Sequence, residues 1–368
     1  LFQPLLYQVA TAGLSPAQIA APIRSILRGQ TNVTVRLARV IGIDKARHQV
    51  MTDDGCIDYD WLIVATGARH AYFGHDEWEA YAQGLKRIDD ATAIRRRILT
   101  SFEKAESAAA DMMRRRELNF VIVGGGPTGV ELAGAIAELA RTALAADFRN
   151  IDPRRARVIL LEAGDRLLAA FPPSLSAKAK RSLEKLGVEV RLGAAVTDCT
   201  ARGVAIGDRD TIESDCVIWA AGVAASPAAK WLGAEQDRAG RVKVNPDLSL
   251  PGYPEIFVIG DTALVLGADG RPVPGLAPAA KQQGACVAAW MRRKLAGGRP
   301  PERFRYRASA VADFGRIRIS GYPAWLLWGL VHVFFLIGFR NRIAVLMEWL
   351  WAYVTFQRGA RLITGSHP

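Results

Sequence analysis

Cysteine is scarce in this chain: Cys56, Cys199, Cys216 and Cys286 are the four thiols in 368 residues. Four dispersed cysteines cannot build a disulfide framework, and the absence of C-x-x-C spacing excludes a dithiol redox pair. They are expected to be buried thiols in a reducing compartment. Histidine is equally thin, and His48, His70, His75, His332 and His367 stand at no metal-ligand spacing with cysteines or carboxylates, so no metal site is expected. Acidic residues are in deficit. The 36 Asp and Glu against 48 Lys and Arg leave a net charge of +12, which suits an anionic partner such as nucleic acid or lipid headgroups. The basic runs Arg95-Arg96-Arg97 and Arg114-Arg115-Arg116 have no interleaved aromatics and no nucleic-acid motif, so they read as solvated helix faces rather than a nucleic-acid surface.

What the chain does have is apolar mass and a regular alternation of strand and helix patterns. At 50% hydrophobic over 368 residues it can bury large cores in two or three domains. Residues 33–43 alternate apolar and polar, residues 48–52 continue after a turn, Asp53-Asp54-Gly55 is a hairpin signal, and residues 59–65 form a short apolar strand ending at Thr66-Gly67. A helix rich in Ala, Arg and Glu is expected over about 90–116.

The strongest motif follows. Residues 119–123 are an apolar strand, Gly124-Gly125-Gly126-Pro127-Thr128-Gly129 fits G-x-G-x-x-G, and residues 130 to about 146 have helical character. Gly124 permits the tight strand-to-helix turn, Gly126 lets the backbone approach a pyrophosphate, and Gly129 lets helix and strand pack closely, with the phosphates over a helix N-terminus. A second strand over 157–161 ends in Glu162, whose carboxylate can accept hydrogen bonds from an adenosine ribose. The separation of Gly124 and Glu162 is 38 residues, against a usual ~20, which requires an insertion over about 140–156. A carboxylate there repels the 2′-phosphate of NADPH and so favours NADH, although Arg166 stands close enough in sequence to compensate.

A helix over 174–186, a strand over 188–192, a β-meander over about 195–212 and a strand over 215–221 complete the unit. The junctions LIVATGA, containing Ala65, Thr66 and Gly67, and VIWAAGV, containing Gly222, resemble each other. Both read as strands returning to a main sheet and ending in a Gly turn near a ligand.

Several segments together resemble the type II NADH dehydrogenases, non-electrogenic NADH:quinone oxidoreductases within the flavoproteins with two dinucleotide-binding domains. They are LFQPLLYQVATA at the start, YDWLIVATGARHAYFGHDEW over 59–78, VGGGPTGVELAG over 123–134, EIFVIGDTA over 255–263, LAPAAKQQG over 276–284, and the aromatic tail. The resemblance runs from the first residue almost to the last. It implies an α/β chain with two Rossmann-like domains, one inserted in the other, and a C-terminal helical membrane-docking segment. The division expected is 1–92 and 226–312 for the FAD domain, 93–225 for the NADH domain and 313–368 for the anchor.

The implied activity is hydride transfer from NADH to FAD, then delivery of two electrons to a membrane quinone in the respiratory chain. The implied place is the cytoplasmic face of a bacterial inner membrane. Gly260 and Asp261 resemble the family's FAD-binding turn, with the aspartate on the ribityl chain, while Pro4 and Leu5 lie in the segment that approaches the isoalloxazine. Glu131 resembles a family glutamate near the nicotinamide and flavin. Lys281 and Gln282 lie in the stretch over 277–282 that occupies the place of the family's quinone motif A-Q-x-A-x-Q, where this chain has Pro278 in place of the first Gln, and Gln283 follows as a further polar candidate. The cysteine pairs used by disulfide and sulfide:quinone reductases are not matched. Other readings are a non-catalytic NAD-binding membrane protein, or a flavin reductase of a soluble carrier. By the same resemblance, Leu1 falls inside an FAD domain whose Gly-rich first unit is expected upstream, and without it FAD would be held poorly.

The tail supplies its own argument. Residues 319–339 contain no Asp, Glu, Lys or Arg, and from Pro323 to Phe339 a helix would run 17 residues, the low edge of the ~17–25 needed to span a bilayer. A second apolar stretch over 343–356 carries Glu348 and is flanked by Arg340, Arg342, Arg358 and Arg361. Aromatics and flanking arginines suit interfacial helices on an anionic lipid surface, in preference to one spanning helix or a homodimer interface.

Overall fold

The computed structural model describes residues 1–108, 116–208, 210–307, 322–355 and 357–364. They fall into two compact units. The first holds Leu1–Gly29, His70–Gly222 and Ser320–Pro368, and the second holds Gln30–Arg69 and Val223–Ile319.

The first unit is built on a five-stranded parallel sheet in the order Ala82–Gly84, Cys216–Trp219, Asn119–Val123, Arg157–Glu162, Val188–Leu192. A parallel sheet covered on both faces demands near-continuous apolar strands, and NFVIV in the third position is buried at every residue. The period of two then sorts the side chains. Phe120 and Ile122 join Ile94, Ile98 and Phe102 of the helix Ile88–Ser107 and Leu132 and Ile136 of the helix Pro127–Glu138. Val121 and Val123 face the other way, into a cluster with Val204 and Ile212. These two belong to the antiparallel meander Val196–Thr200, Gly203–Ile206, Asp210–Glu213.

At the chain start, Gln3–Leu5 forms a 3-10 turn and Leu6–Ala10 a short helix, and Leu5, Leu6 and Val9 sink into the same helix-side core. Two C-terminal helices, Tyr322–Phe335 and Phe339–Thr355, join that core through Val333 and Val345, with Leu336 of the turn between them.

The second unit has its own apolar cluster around Phe257, Val258 and Val287. Its sheet orders Ser249–Leu250, Tyr253–Val258 and Leu62–Val64, the last two parallel. The helix Ala277–Leu295 packs beside it, and the strands Val40–Asp44, Gln49–Thr52 and Gly55–Asp58 form a separate antiparallel meander.

Some expectations change. The strand expected over 33–43 begins only at Val40, because its partner Gln49–Thr52 is four residues long and pairing runs out; Leu37 is 97% exposed. The helix expected over 90–116 is Ile88–Ser107, and residues 109–115 lie outside the described residues. The thiols are not uniformly buried: Cys56 is exposed on an edge strand, and Cys286 is half-buried. Burial does push Cys199 and Cys216 up to about 12, which leaves them protonated and inert.

Candidate functional site

The Gly-rich loop of the first unit is pinched between two strand ends. Gly124 N donates to Leu161 O at 2.7 Å, and Ala220 N donates to Val123 O at 2.7 Å. Gly124 sits at φ +109°, and a side chain there would strike the backbone of Ala220 and Ala221. Gly129 meets the loop from the helix side, where a Cβ would lie 1.9 Å from Gly124 O. Gly126 is the exception. It lies at the N-cap with an ordinary φ of −73°, and nothing stands within 4 Å of where its Cβ would be.

The three glycines therefore do different work. Two are forced by the fold, and the third faces open space at a helix N-terminus, where first-turn N–H groups have no intrahelical acceptor. Pro127 occupies the first turn, where its missing N–H costs nothing, and Thr128 follows it. Backbone donors, a positive dipole end and room for an oxygen-rich group fit a pyrophosphate.

Glu162 ends the strand beside this loop. Its Oε2 accepts from Gly125 N at 2.6 Å and its Oε1 from Gly164 N at 2.7 Å, so the carboxylate is held at the loop's edge. Arg166 is turned away and donates to Ala169 O at 2.9 Å. The long crossover contains a π-helical turn, Leu139–Ala143, and a 3-10 turn, Pro153–Arg155. Gly222 ends the neighbouring strand region with Phe73 packed where a side chain would project.

Glu131 is in the helix that begins at the loop, and burial raises its carboxyl to about 7. Tyr7 of the N-terminal helix lies within electrostatic reach: burial, and after it the Glu131 charge, raises its phenol well above the usual range. Nearby in sequence, Pro4 is exposed and Leu5 is fully buried in the apolar core.

In the second unit, two loops at the carboxyl ends of parallel strands are tied together. Ala65-Thr66-Gly67 follows Leu62–Val64, and the turn Gly260–Thr262 follows Tyr253–Val258. Thr262 Oγ1 donates to Gly67 O at 3.3 Å, Ser226 N donates to the same oxygen at 3.0 Å, and the Thr66 and Ser226 hydroxyls bond at 2.5 Å. Gly67 and Gly260 have φ of +68° and +71°. The half-buried Asp261 takes no hydrogen bond among the described residues. It sits beside Gly275, where a Cβ would fall 3.4 Å from its Oδ1. Ligands of open parallel sheets bind in such crevices, and a carboxylate held open there fits a polyhydroxyl chain.

The helix Ala277–Leu295 brings Lys281, Gln282 and Gln283 beside that turn, with different commitments. Buried Gln283 accepts from Gly260 N at 2.6 Å. Gln282 clasps the backbone of Arg307, donating to its O and accepting from its N, both at 2.9 Å. Pro278 stands in the first turn of this helix, a position that tolerates proline. Sequence reasoning missed Ser226 and Thr262 as loop fasteners, and Tyr7 as a group within electrostatic reach of Glu131. A serine 160 residues from its threonine partner leaves no periodic signal.

The comparisons with known proteins agree with this geometry. Residues 1–284 match the family model described as pyridine nucleotide-disulphide oxidoreductase. The chain is 46% identical to the type II NADH:quinone oxidoreductase Ndh of Mycobacterium tuberculosis, over 99% of this chain and 83% of that protein. It is 31% identical to the type II NADH:quinone oxidoreductase of Staphylococcus haemolyticus, over 79% of this chain and 72% of that one. Among solved structures, NDH2 from Plasmodium falciparum in complex with NADH superposes with a TM-score of 0.84 at 19% identity, covering 99% and 92% of the two chains.

Proposed function

This chain belongs to the type II NADH:quinone oxidoreductases, within the pyridine nucleotide-disulphide oxidoreductase family, and we propose how its residues serve that reaction. It is a flavoprotein enzyme that uses FAD and NADH and reduces a quinone. The site assignments that follow are our own reading. Gly126, Thr128 and Gly129 present backbone donors to the NADH pyrophosphate, and Glu162 sits at the ribose, with Arg166 committed to Ala169 O instead of a 2′-phosphate. The turn Gly260-Asp261 and the loop Ala65-Thr66-Gly67 hold FAD. Bound FAD supplies the two-electron relay between nicotinamide and quinone.

Proton accounting gives Glu131 its part. NADH plus quinone yields NAD+ plus quinol only if one proton is taken from the medium. A carboxyl held at about 7 by burial is half-loaded at neutral pH and can carry that proton. The observation that supports this most directly is the position of Glu131, one turn into the helix that opens at the Gly-rich loop. Lys281 and Gln282 are proposed on the quinone side, with Gln282 shaping the wall through Arg307.

The C-terminal helices support a lipid partner. Leu326, Leu330, Phe334 and Ile337 form one exposed stripe, and Ile343, Leu346, Met347, Leu350 and Val354 another; Leu330 and Val354 are 69% and 68% exposed. No helix among the described residues is long and apolar enough to cross a membrane. With Arg340 and Arg342 at the near end, peripheral docking on anionic lipid, on the face where NADH is available, is the proposed arrangement. A homodimer covering the same stripes is the competing outcome.

The test is NADH oxidation by the FAD-loaded protein with a short-chain quinone, alongside Glu131→Gln. Loss of the limb near neutral pH in the Gln variant supports the role of Glu131, and an unchanged profile refutes it. A colourless protein that binds NADH without oxidising it contradicts the enzyme reading, and extraction without detergent points to a soluble acceptor.

A further inference from the structure

Residues 71–74 are clamped to the end of the strand Cys216–Trp219. Ala71 N donates to Gly222 O at 3.2 Å, Trp219 Nε1 donates to Ala71 O at 2.8 Å, and the Tyr72 hydroxyl donates to Ala82 O at 2.7 Å. Tyr72 and Trp219 are buried, with ring centroids 5.2 Å apart. Next to these fixed points Phe73 sits at φ +54° and Gly74 at φ +99°. A bulky side chain in the left-handed region is strained, and such strain persists only where the surroundings over-determine the backbone. Yet Phe73 is 68% exposed. A single exposed apolar side chain is ordinary, but one held out on a strained backbone by buried neighbours is not.

The ring has a defined place. It lies against Gly222, where a Cβ would fall 2.6 Å from its Cζ, and its centroid is 6.3 Å from that of Trp219. Gly222 is outside the left-handed region, so its backbone would accept a side chain; the Phe73 ring is what fills the space. The two residues before it form a wall against the Gly-rich loop, since a Cβ on Gly124 would lie 2.6 Å from Ala220 C and Ala221 Cα. Strand order then tells the two halves of a dinucleotide apart. The strand Asn119–Val123, which carries the loop, has Arg157–Glu162 on one side and Cys216–Trp219 on the other. A dinucleotide runs across the carboxyl ends of such strands with its pyrophosphate at the helix N-terminus. Glu162 marks the adenosine side. The nicotinamide half must then pass over residues 220–222, beside the exposed ring of Phe73.

We infer that Phe73 is a binding residue for the nicotinamide riboside half of NADH, its strained backbone holding the ring in the crevice before the substrate arrives. This rests on the assignment of the Gly-rich loop to NADH proposed above. An aromatic face held in place beforehand offers apolar contact area with little rotamer freedom left to lose on binding. Gly222 is a glycine for the same reason, because a methyl group there would push the ring out of position.

The experiment measures NADH oxidation by the FAD-loaded protein in detergent micelles with a short-chain quinone, using ADP as competitive inhibitor. ADP carries the adenosine and the pyrophosphate but lacks the nicotinamide riboside. Phe73→Ala is expected to raise KM for NADH by about tenfold with kcat within about twofold, and to leave Ki for ADP unchanged. Phe73→Tyr keeps the ring and is expected to behave as the parent. Phe73→Gly relieves the left-handed backbone, so it is expected to weaken NADH as Phe73→Ala does without lowering the denaturant midpoint. Gly222→Ala is expected to raise KM in the parent and to add nothing in the Phe73→Ala background, where the methyl group has room. An unchanged KM in Phe73→Ala, or a Ki for ADP that rises as far as KM does, overturns the inference. If Gly126→Val weakens neither NADH nor ADP, the assignment of the loop itself fails; if it weakens both and Phe73→Ala weakens neither, only the role of Phe73 fails.

Discussion

A methyl group on Gly129 would lie 1.9 Å from the carbonyl oxygen of Gly124. Gly126, two residues past Gly124 in the same loop, has nothing within 4 Å of its missing side chain. One glycine is demanded by the fold; the other is not, and the proposed NADH pyrophosphate is what would require it. Gly129→Ala is therefore expected to destabilise by about 1–3 kcal/mol, the range for overpacking, visible as a lower denaturant midpoint. Gly126→Val is expected to leave that midpoint unchanged and to raise KM for NADH by at least about tenfold, equivalent to ~1.4 kcal/mol.

Glu131 makes stability depend on pH in a defined direction. Its folded carboxyl titrates at about 7 against an ordinary 4.5, so between those values the folded state binds the proton and the unfolded state does not. Stability is fully present below the ordinary carboxylate value and is lost as pH rises through neutrality. Glu131→Gln is expected to flatten that segment of the curve and to stabilise the protein at pH 8 by roughly 2 kcal/mol. Chemical denaturation at pH 5 and pH 8 measures it.

Gln283 holds the Gly260 N–H in the proposed FAD turn. Gln283→Ala leaves a half-buried donor without its partner, a loss of about 1 kcal/mol. The expected readout is flavin released on dialysis, at a rate well above that of Gln282→Ala, whose contacts lie on Arg307.

The outward leucines of the second C-terminal helix are expected to bind lipid. Leu346→Glu with Leu350→Glu removes two apolar contacts, each worth about 1.5–3 kcal/mol when buried, and adds charge that anionic lipid repels. Co-sedimentation with vesicles containing phosphatidylglycerol is expected to fall sharply. Unchanged sedimentation, together with dissociation of a dimer, would assign the stripe to a second copy instead.

Much of the nucleotide-binding unit was legible because its signals are local. An apolar strand, spaced glycines and an acidic strand end lie within one crossover, and each constraint is set by backbone sterics within a few residues. The meander and the hairpin at Asp53-Asp54-Gly55 follow from period two and turn chemistry in the same way. What escaped depends on distant partners. Alternation over residues 33–39 looks like a strand, yet a strand exists only where a neighbour pairs with it, and the neighbour stops at Thr52. Cys56 reads as apolar until its strand turns out to be an edge. Gln8 and Trp349, 341 residues apart, give no hint in sequence that one amide links them.

The most direct measurement is the visible spectrum of the purified protein during anaerobic addition of NADH, followed by a short-chain quinone. Flavin absorbance present at the outset, bleached by NADH and restored by the quinone is the expected result. Flavin absorbance that NADH leaves unchanged, or that bleaches and is not restored by any quinone, would contradict NADH:quinone oxidoreduction by this chain.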